Sequence, residues 1–219
     1  MMTDLTRLFK TAACAFLVSI PAAAAFAGDG NQIYILQQNP FGAALGNNLM
    51  IDQTNATHSL VSGEFAPGGL SGQAIAPALQ DGTGNTGSVS ISGHGGQVVF
   101  LQSGDANAAN VSLSSVLGMA FLQQDGIGNT ANLTVDPLGL SGAIQQIGNG
   151  NSGDLTVSGA GTSGSLVQKG DNNQFGFTVS GNGTSASYTA IGSNMTTLGA
   201  TPMVISNGGS VTITQTQYR

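Results

Sequence analysis

"LQQDGIGNTANLTVD", Leu122 to Asp136, is the stretch on which the fold turns. Its Gln, Asn, Gly and Thr have the composition of a linker, yet it closes on an alternating Leu133, Thr134, Val135. Moving outward in steps of 22 residues, the same features return. Gln80, Gln102, Gln124, Gln146 and Gln168 stand 22 residues apart. Two residues after each comes a glycine: Gly82, Gly104, Gly126, Gly148 and Gly170. Five residues after each comes an asparagine: Asn85, Asn107, Asn129, Asn151 and Asn173. A sixth unit keeps Gly192, with Ala190 in place of the Gln and Asn194 one place early. A fixed period without insertions is the mark of a repeat architecture.

Each unit reads the same way. A short apolar run leads to the Gln ("VVFLQ", "AFLQQ", "AIQQ", "SLVQ"). Gly-x-(Gly/Ala/Asn)-Asn then predicts a tight turn, because Gly and Asn tolerate positive φ at little cost. A second run alternates with period two. Its apolar members are Val89 and Ile91, Val111 and Leu113, Leu133 and Val135, Leu155 and Val157, Phe177 and Val179. Ser90, Ser112, Thr134, Thr156 and Thr178 stand between them and face the other way.

Strand, tight turn, strand and looser turn describe one rung of a β-solenoid. One rung cannot bury its own apolar face, whereas stacked rungs share a continuous core. The expectation is an all-β solenoid of about seven or eight 22-residue rungs in an amyloid-like stack, roughly 35 Å tall at about 4.8 Å per rung. A propeller or sandwich needs longer strands and larger units. The Gln column would form an amide ladder, since each Gln carries both a donor and an acceptor and can satisfy an identical copy.

"QDGIGNTA", Gln124 to Ala131, resembles the Q-x-G-x-G-N-x-A core of the curlin repeat, from the subunits of bacterial curli amyloid fibres. "QDGTGNTG" and "QIGNGNSG" match nearly as well, "QSGDANAA" and "QKGDNNQF" more loosely. The resemblance covers about 71–180. It implies an extracellular functional amyloid that passes through the periplasm and a dedicated outer-membrane channel. Such chains polymerise with themselves and with other curli-type subunits on the cell surface, as biofilm matrix and adhesin. The family usually places a second Gln six residues after the Asn. Here those positions are Ile91, Leu113, Val135, Val157 and Val179, so one amide ladder per rung is expected and the second column is apolar.

Outside the regular units, three segments divide the chain. Residues 1–27 read as a cleaved signal peptide, with a basic start at Arg7 and Lys10, an apolar run and Ala25-Phe26-Ala27 as cleavage signal. Residues 28–70 read as degenerate repeats, the first turn starting at Gln38 and Pro67 removing a ladder donor. Residues 71–219 form the repeat solenoid, ending in "GGSVTITQTQYR" with Val211, Ile213 and Gln215 on one face.

The single cysteine, Cys14, lies in the expected leader, so the mature chain would have neither disulfides nor Cys-based sites. Charge is sparse, with a net −6. After the leader only Lys169 and Arg219 are cationic, which excludes a surface tracking nucleic-acid phosphates and argues against an anionic membrane as partner. No membrane insertion is expected.

Catalysis has little to work with. His58 and His94 are the only histidines, and His94 sits in "SGHGGQ", a connection between rungs where imidazoles are ordinarily just solvated. The carboxylates are scattered, with no glycosidase-like pair. The turn aspartates Asp81, Asp105, Asp125 and Asp171 offer one carboxylate each, whereas calcium gathers six or more oxygens. They are expected to sit outside the core and restrain lateral aggregation. A non-enzyme without metal or cofactor is the expectation. The rival reading is a secreted, monomeric binding module, adhesin-like or ice-binding. It would use the outward Ser/Thr column and the adjacent Ser92, Ser114, Asp136, Ser158 and Ser180.

Overall fold

The computed structural model describes residues 30–40, 42–43, 45–66, 75–197 and 202–217. The expected leader over 1–27 and the degenerate stretch around Pro67 lie outside the described residues. The described chain is all β: β1 (Gln32–Ile33), β2 (Ile35–Gln38), β3 (Asn48–Thr57), β4 (Leu60–Ser62), β5 (Ala78–Asp81), β6 (Thr86–His94), β7 (Gln97–Ser103), β8 (Ala108–Leu113), β9 (Met119–Asp125), β10 (Thr130–Val135), β11 (Gly139–Ile147), β12 (Ser152–Val157), β13 (Thr162–Lys169), β14 (Gln174–Ile191) and β15 (Met203–Thr216).

Every pairing among the described strands is parallel, and in the regular units each strand pairs with the strand one repeat away. Leu133 of β10 lies between Val111 of β8 and Leu155 of β12, and Gln124 of β9 between Gln102 of β7 and Gln146 of β11. One arm of the stack runs β7-β9-β11-β13-β14, the facing arm β14-β12-β10-β8-β6-β3, and the long β14 rounds the corner between them. This is a β-solenoid.

The 22-residue spacing holds for about six turns, through the column Gln80, Gln102, Gln124, Gln146, Gln168 and Ala190. That is fewer regular turns than the seven or eight expected, because the outer layers join the stack out of period. Gln37 precedes its column partner Gln80 by 43 residues, and β15 follows β14 at an offset of 25. The first unit's column residue is therefore Gln37; Gln38 stands opposite Asp81 instead.

Alternation decides the core. Ala120, Leu122 and Gln124 point inward from β9, and Ala131, Leu133 and Val135 from the facing β10; all are buried. The predicted apolar columns, from Val89 and Ile91 through Phe177 and Val179, line this interior without exception. Each buried Leu, Val or Phe contributes about 1.5–3 kcal/mol by leaving water. The space between the arms is constant, so large residues face small ones. Phe100 fills the room left at Gly87, where a Cβ would lie 2.5 Å from its Cζ. In the later layers Phe175 and Phe177 pack on Tyr188, ring centroids 5.1 and 5.8 Å away, flanked by Ala186 and Ala190. Burial pushes the Tyr188 phenol above its ordinary pKa, and its hydroxyl donates to Gln215 Oε1 at 2.6 Å.

Candidate functional site

The chemically organised part of this chain is its stack of amides. Strand alternation turns Gln80, Gln102, Gln124, Gln146 and Gln168 inward, where all five are buried. Each donates from Nε2 to Oε1 of the next: Gln80 to Gln102 at 2.7 Å, Gln102 to Gln124 at 2.8 Å, Gln124 to Gln146 at 2.9 Å and Gln146 to Gln168 at 2.8 Å. Gln37 enters the ladder from below, 2.5 Å from Gln80. The second amide hydrogen crosses to the facing arm. Gln102 donates to Thr86 O, Gln124 to Ala108 O, Gln146 to Thr130 O and Gln168 to Ser152 O, all within 3.0 Å. The glutamines thus bind rung to rung and arm to arm together. An unpaired buried amide costs about 1–3 kcal/mol, so the full set of bonds is what permits the column to exist.

The asparagines correct the sequence reading. Asn85, Asn107, Asn129, Asn151 and Asn173 are not the positive-φ residues of the turn; they are buried and form a second amide ladder. Asn129 Nδ2 donates to Asn107 Oδ1 at 3.0 Å and to the Gly148 carbonyl at 2.8 Å. Its own Oδ1 accepts from the backbone N–H and Nδ2 of Asn151. Asn107 and Asn151 repeat the pattern. Two ladders per rung therefore exist. The signal was available, since the Asn column has the same period and the same donor–acceptor symmetry as the Gln column; turn propensity obscured it.

The turn itself is made by other positions. Gly82, Gly104, Gly126, Gly148, Gly170 and Gly192 have φ between +99° and +140°. The residue two places on, Gly84, Ala106, Gly128, Gly150, Asn172 or Asn194, has φ between +55° and +67°. This second position accepts Ala and Asn because it is ordinary left-handed helical space. The first does not, because its backbone also presses on the rung above.

Outside the turn runs a row of side-chain acceptors. Asp105 Oδ1 accepts from the Thr83 N–H and hydroxyl, both at 2.8 Å. Asn149 Oδ1 takes the Ile127 N–H, and Asp171 Oδ1 takes the Asn149 N–H. Asp105 and Asp171 thus cap backbone donors of the neighbouring rung besides adding surface charge. The Thr83 hydroxyl, then its N–H, hold the Asp105 carboxyl below the ordinary carboxylate range, as the Thr54 hydroxyl and N–H do for Asp52. Groups depressed in this way add stability above the unfolded carboxylate pKa and lose it as pH falls through the folded one. Asp105→Asn keeps the acceptor, as Asn149 does, and removes the titration. Denaturant midpoints followed from pH 7 to pH 2 should fall less steeply at the acid end for Asp105→Asn than for the parent chain; identical acid slopes would refute this.

Both ladders stop inside the stack. Where Ala190 replaces Gln, Gln168 Nε2 turns to the Asn173 carbonyl at 3.1 Å. Where Met195 occupies the Asn column, its N–H still donates to Asn173 Oδ1 at 3.1 Å. At the other end the ladders reach the edge, with Gln37 and with Asn47, whose Oδ1 takes the Asn85 N–H. The Ser90, Ser112, Thr134, Thr156 and Thr178 column lies in register on the outer face. Among the described residues no helix is long and apolar enough to cross a membrane, and no three His, Cys, Asp or Glu gather as metal ligands. Comparisons with protein-family models, with curated proteins and with solved structures found no match.

Proposed function

We propose that this chain is a self-assembling structural subunit of extracellular, curli-like amyloid fibres, exported to the cell surface and acting without catalysis. What carries the reading is that, among the described residues, the stack is open at both ends in matching columns. Within them β15 pairs only with β14 and β3 only with β6, leaving a free strand edge on each. Val204, Val211 and Ile213 pack on the core yet are only half covered, and so are Leu49 and Ile51 at the other end. Following the register through the stack, Val211, Ile213 and Gln215 occupy the columns of Ile33, Ile35 and Gln37. A second copy can add its first layer to the last of its neighbour, apolar on apolar and amide on amide. With its Oε1 taken by Tyr188, Gln215 keeps its amide nitrogen for the incoming Gln37. A head-to-tail contact of this kind does not close and so generates a filament. Partners of the resemblance, an outer-membrane secretion channel and further fibre subunits, belong to the same proposal.

The chain carrying residues 28–219, diluted from denaturant, is expected to polymerise into fibres diffracting near ~4.7 Å along the axis and ~10 Å across it. Gln102→Leu with Gln146→Leu should slow elongation, because Gln80, Gln124 and Gln168 lose ladder partners while the apolar pattern persists. A stable soluble monomer after long incubation at high concentration would sink the fibre reading in favour of a monomeric binding module.

A further inference from the structure

The chain contains two histidines, 36 residues apart and outside the 22-residue period, and the fold brings them together. His58 follows β3 and His94 ends β6, in neighbouring layers, with ring centroids 5.1 Å apart and planes tilted by 56°. Both side chains are exposed. Zinc and copper hold imidazole nitrogens at about 2.0–2.1 Å, and two rings on one tetrahedral ion place their centroids about 5 Å apart. The observed separation of 5.1 Å matches that spacing.

Two further features prepare the pair. Thr57 Oγ1 lies 2.9 Å from His94 Nδ1. When that oxygen accepts the Nδ1 proton, Nε2 keeps its lone pair, the orientation that outer-shell partners impose on metal-binding histidines. His58 itself sits at φ +53°, uncommon for a residue with a Cβ, and Gly30 backs its ring, where a Cβ would lie 2.8 Å from Cδ2.

We propose that His58 and His94 form a two-imidazole site for a divalent transition-metal ion, Zn²⁺ or Cu²⁺, ions whose preference for imidazole exceeds that of Mg²⁺ or Ca²⁺. Water fills the remaining coordination positions. The ion ties the turn after β3 to the end of β6, and so clips the first layer to the second where the repeat is out of period.

The test is equilibrium dialysis of the chain, soluble or fibrous, against Zn²⁺ and separately Cu²⁺, with bound metal measured per chain. One ion per chain is expected. His58→Ala and His94→Ala should each weaken binding at least tenfold, and the double variant should bind at least as weakly as either. Thr57→Val, which keeps both ligands, should weaken it by about tenfold or more. Single variants that each keep half the bound metal would show independent imidazoles and overturn the chelate, as would binding unchanged in His94→Ala. Since the readout is metal per chain in either physical state, it stands or falls separately from the fibre reading.

Discussion

Gly126→Ala is expected to lower stability by about 3 kcal/mol, a large loss for one methyl group. Its φ is +127°, outside even the left-handed helical region, and holding a non-glycine residue there costs about 1–3 kcal/mol. The new Cβ would also press into the Gly148 carbonyl, with its carbon only 2.8 Å away. That carbonyl is the acceptor for Asn129 Nδ2, so moving it weakens a part-buried side-chain-to-backbone bond worth about 1 kcal/mol. Gly128→Ala is the control. Its φ is +67°, nothing lies within 4 Å of the added methyl, and Ala106 already occupies the same place in another rung. It should cost only about 1 kcal/mol. The denaturant midpoint of the β-structure measures both, and equal losses would show that close approach between rungs is not what keeps this column glycine.

Gln124→Glu is expected to reverse the pH dependence of stability. Gln124 accepts from Gln102 and donates to Gln146 Oε1 and to the Ala108 carbonyl. A carboxylate keeps the first bond and confronts two acceptors with no proton to give. Protonated, it can serve one of them. Burial and the two acceptors therefore raise its pKa above the ordinary glutamate value near ~4.3. Here the folded state binds the proton more tightly than the unfolded, so stability falls as pH rises from the unfolded pKa to the raised folded one. Each unit of that interval is worth about 1.4 kcal/mol. The parent chain, with Asp52 and Asp105 depressed, trends the other way at the acid end. Unfolding midpoints compared between pH 4 and pH 7 decide it: a variant no less stable at pH 7 than at pH 4 would rule out a buried, fully engaged Gln124.

The ladder glutamines were legible because two independent signals coincide there, a fixed period and strand alternation. Val89 through Val179 were legible for the same reason. The asparagines were misread because local propensity favours Asn at positive φ, whereas in the stack the position one residue earlier takes that conformation. Propensity describes an isolated turn. A stacked turn must also satisfy the rung above, and an Asn that accepts from the next Asn N–H does so better than one exposed at the corner. The outer layers fall outside the 22-residue period because the column positions of Gln37 and Gln215 are set by pairing, at offsets the period does not predict.

What the amino-acid order determined alone is the rung. Its length, its inward and outward faces and its self-complementary amides are all local or periodic properties. What tertiary structure decided is everything that depends on which atoms lie above one another. It sets the opposite placement of donors that makes the Asn column a second ladder, the stop at Ala190 and Met195, and the glycine that no other residue can replace. The meeting of His58 with His94 belongs there too. Those features arise from contacts between layers spaced along the stack axis, and no pattern within a single layer encodes them.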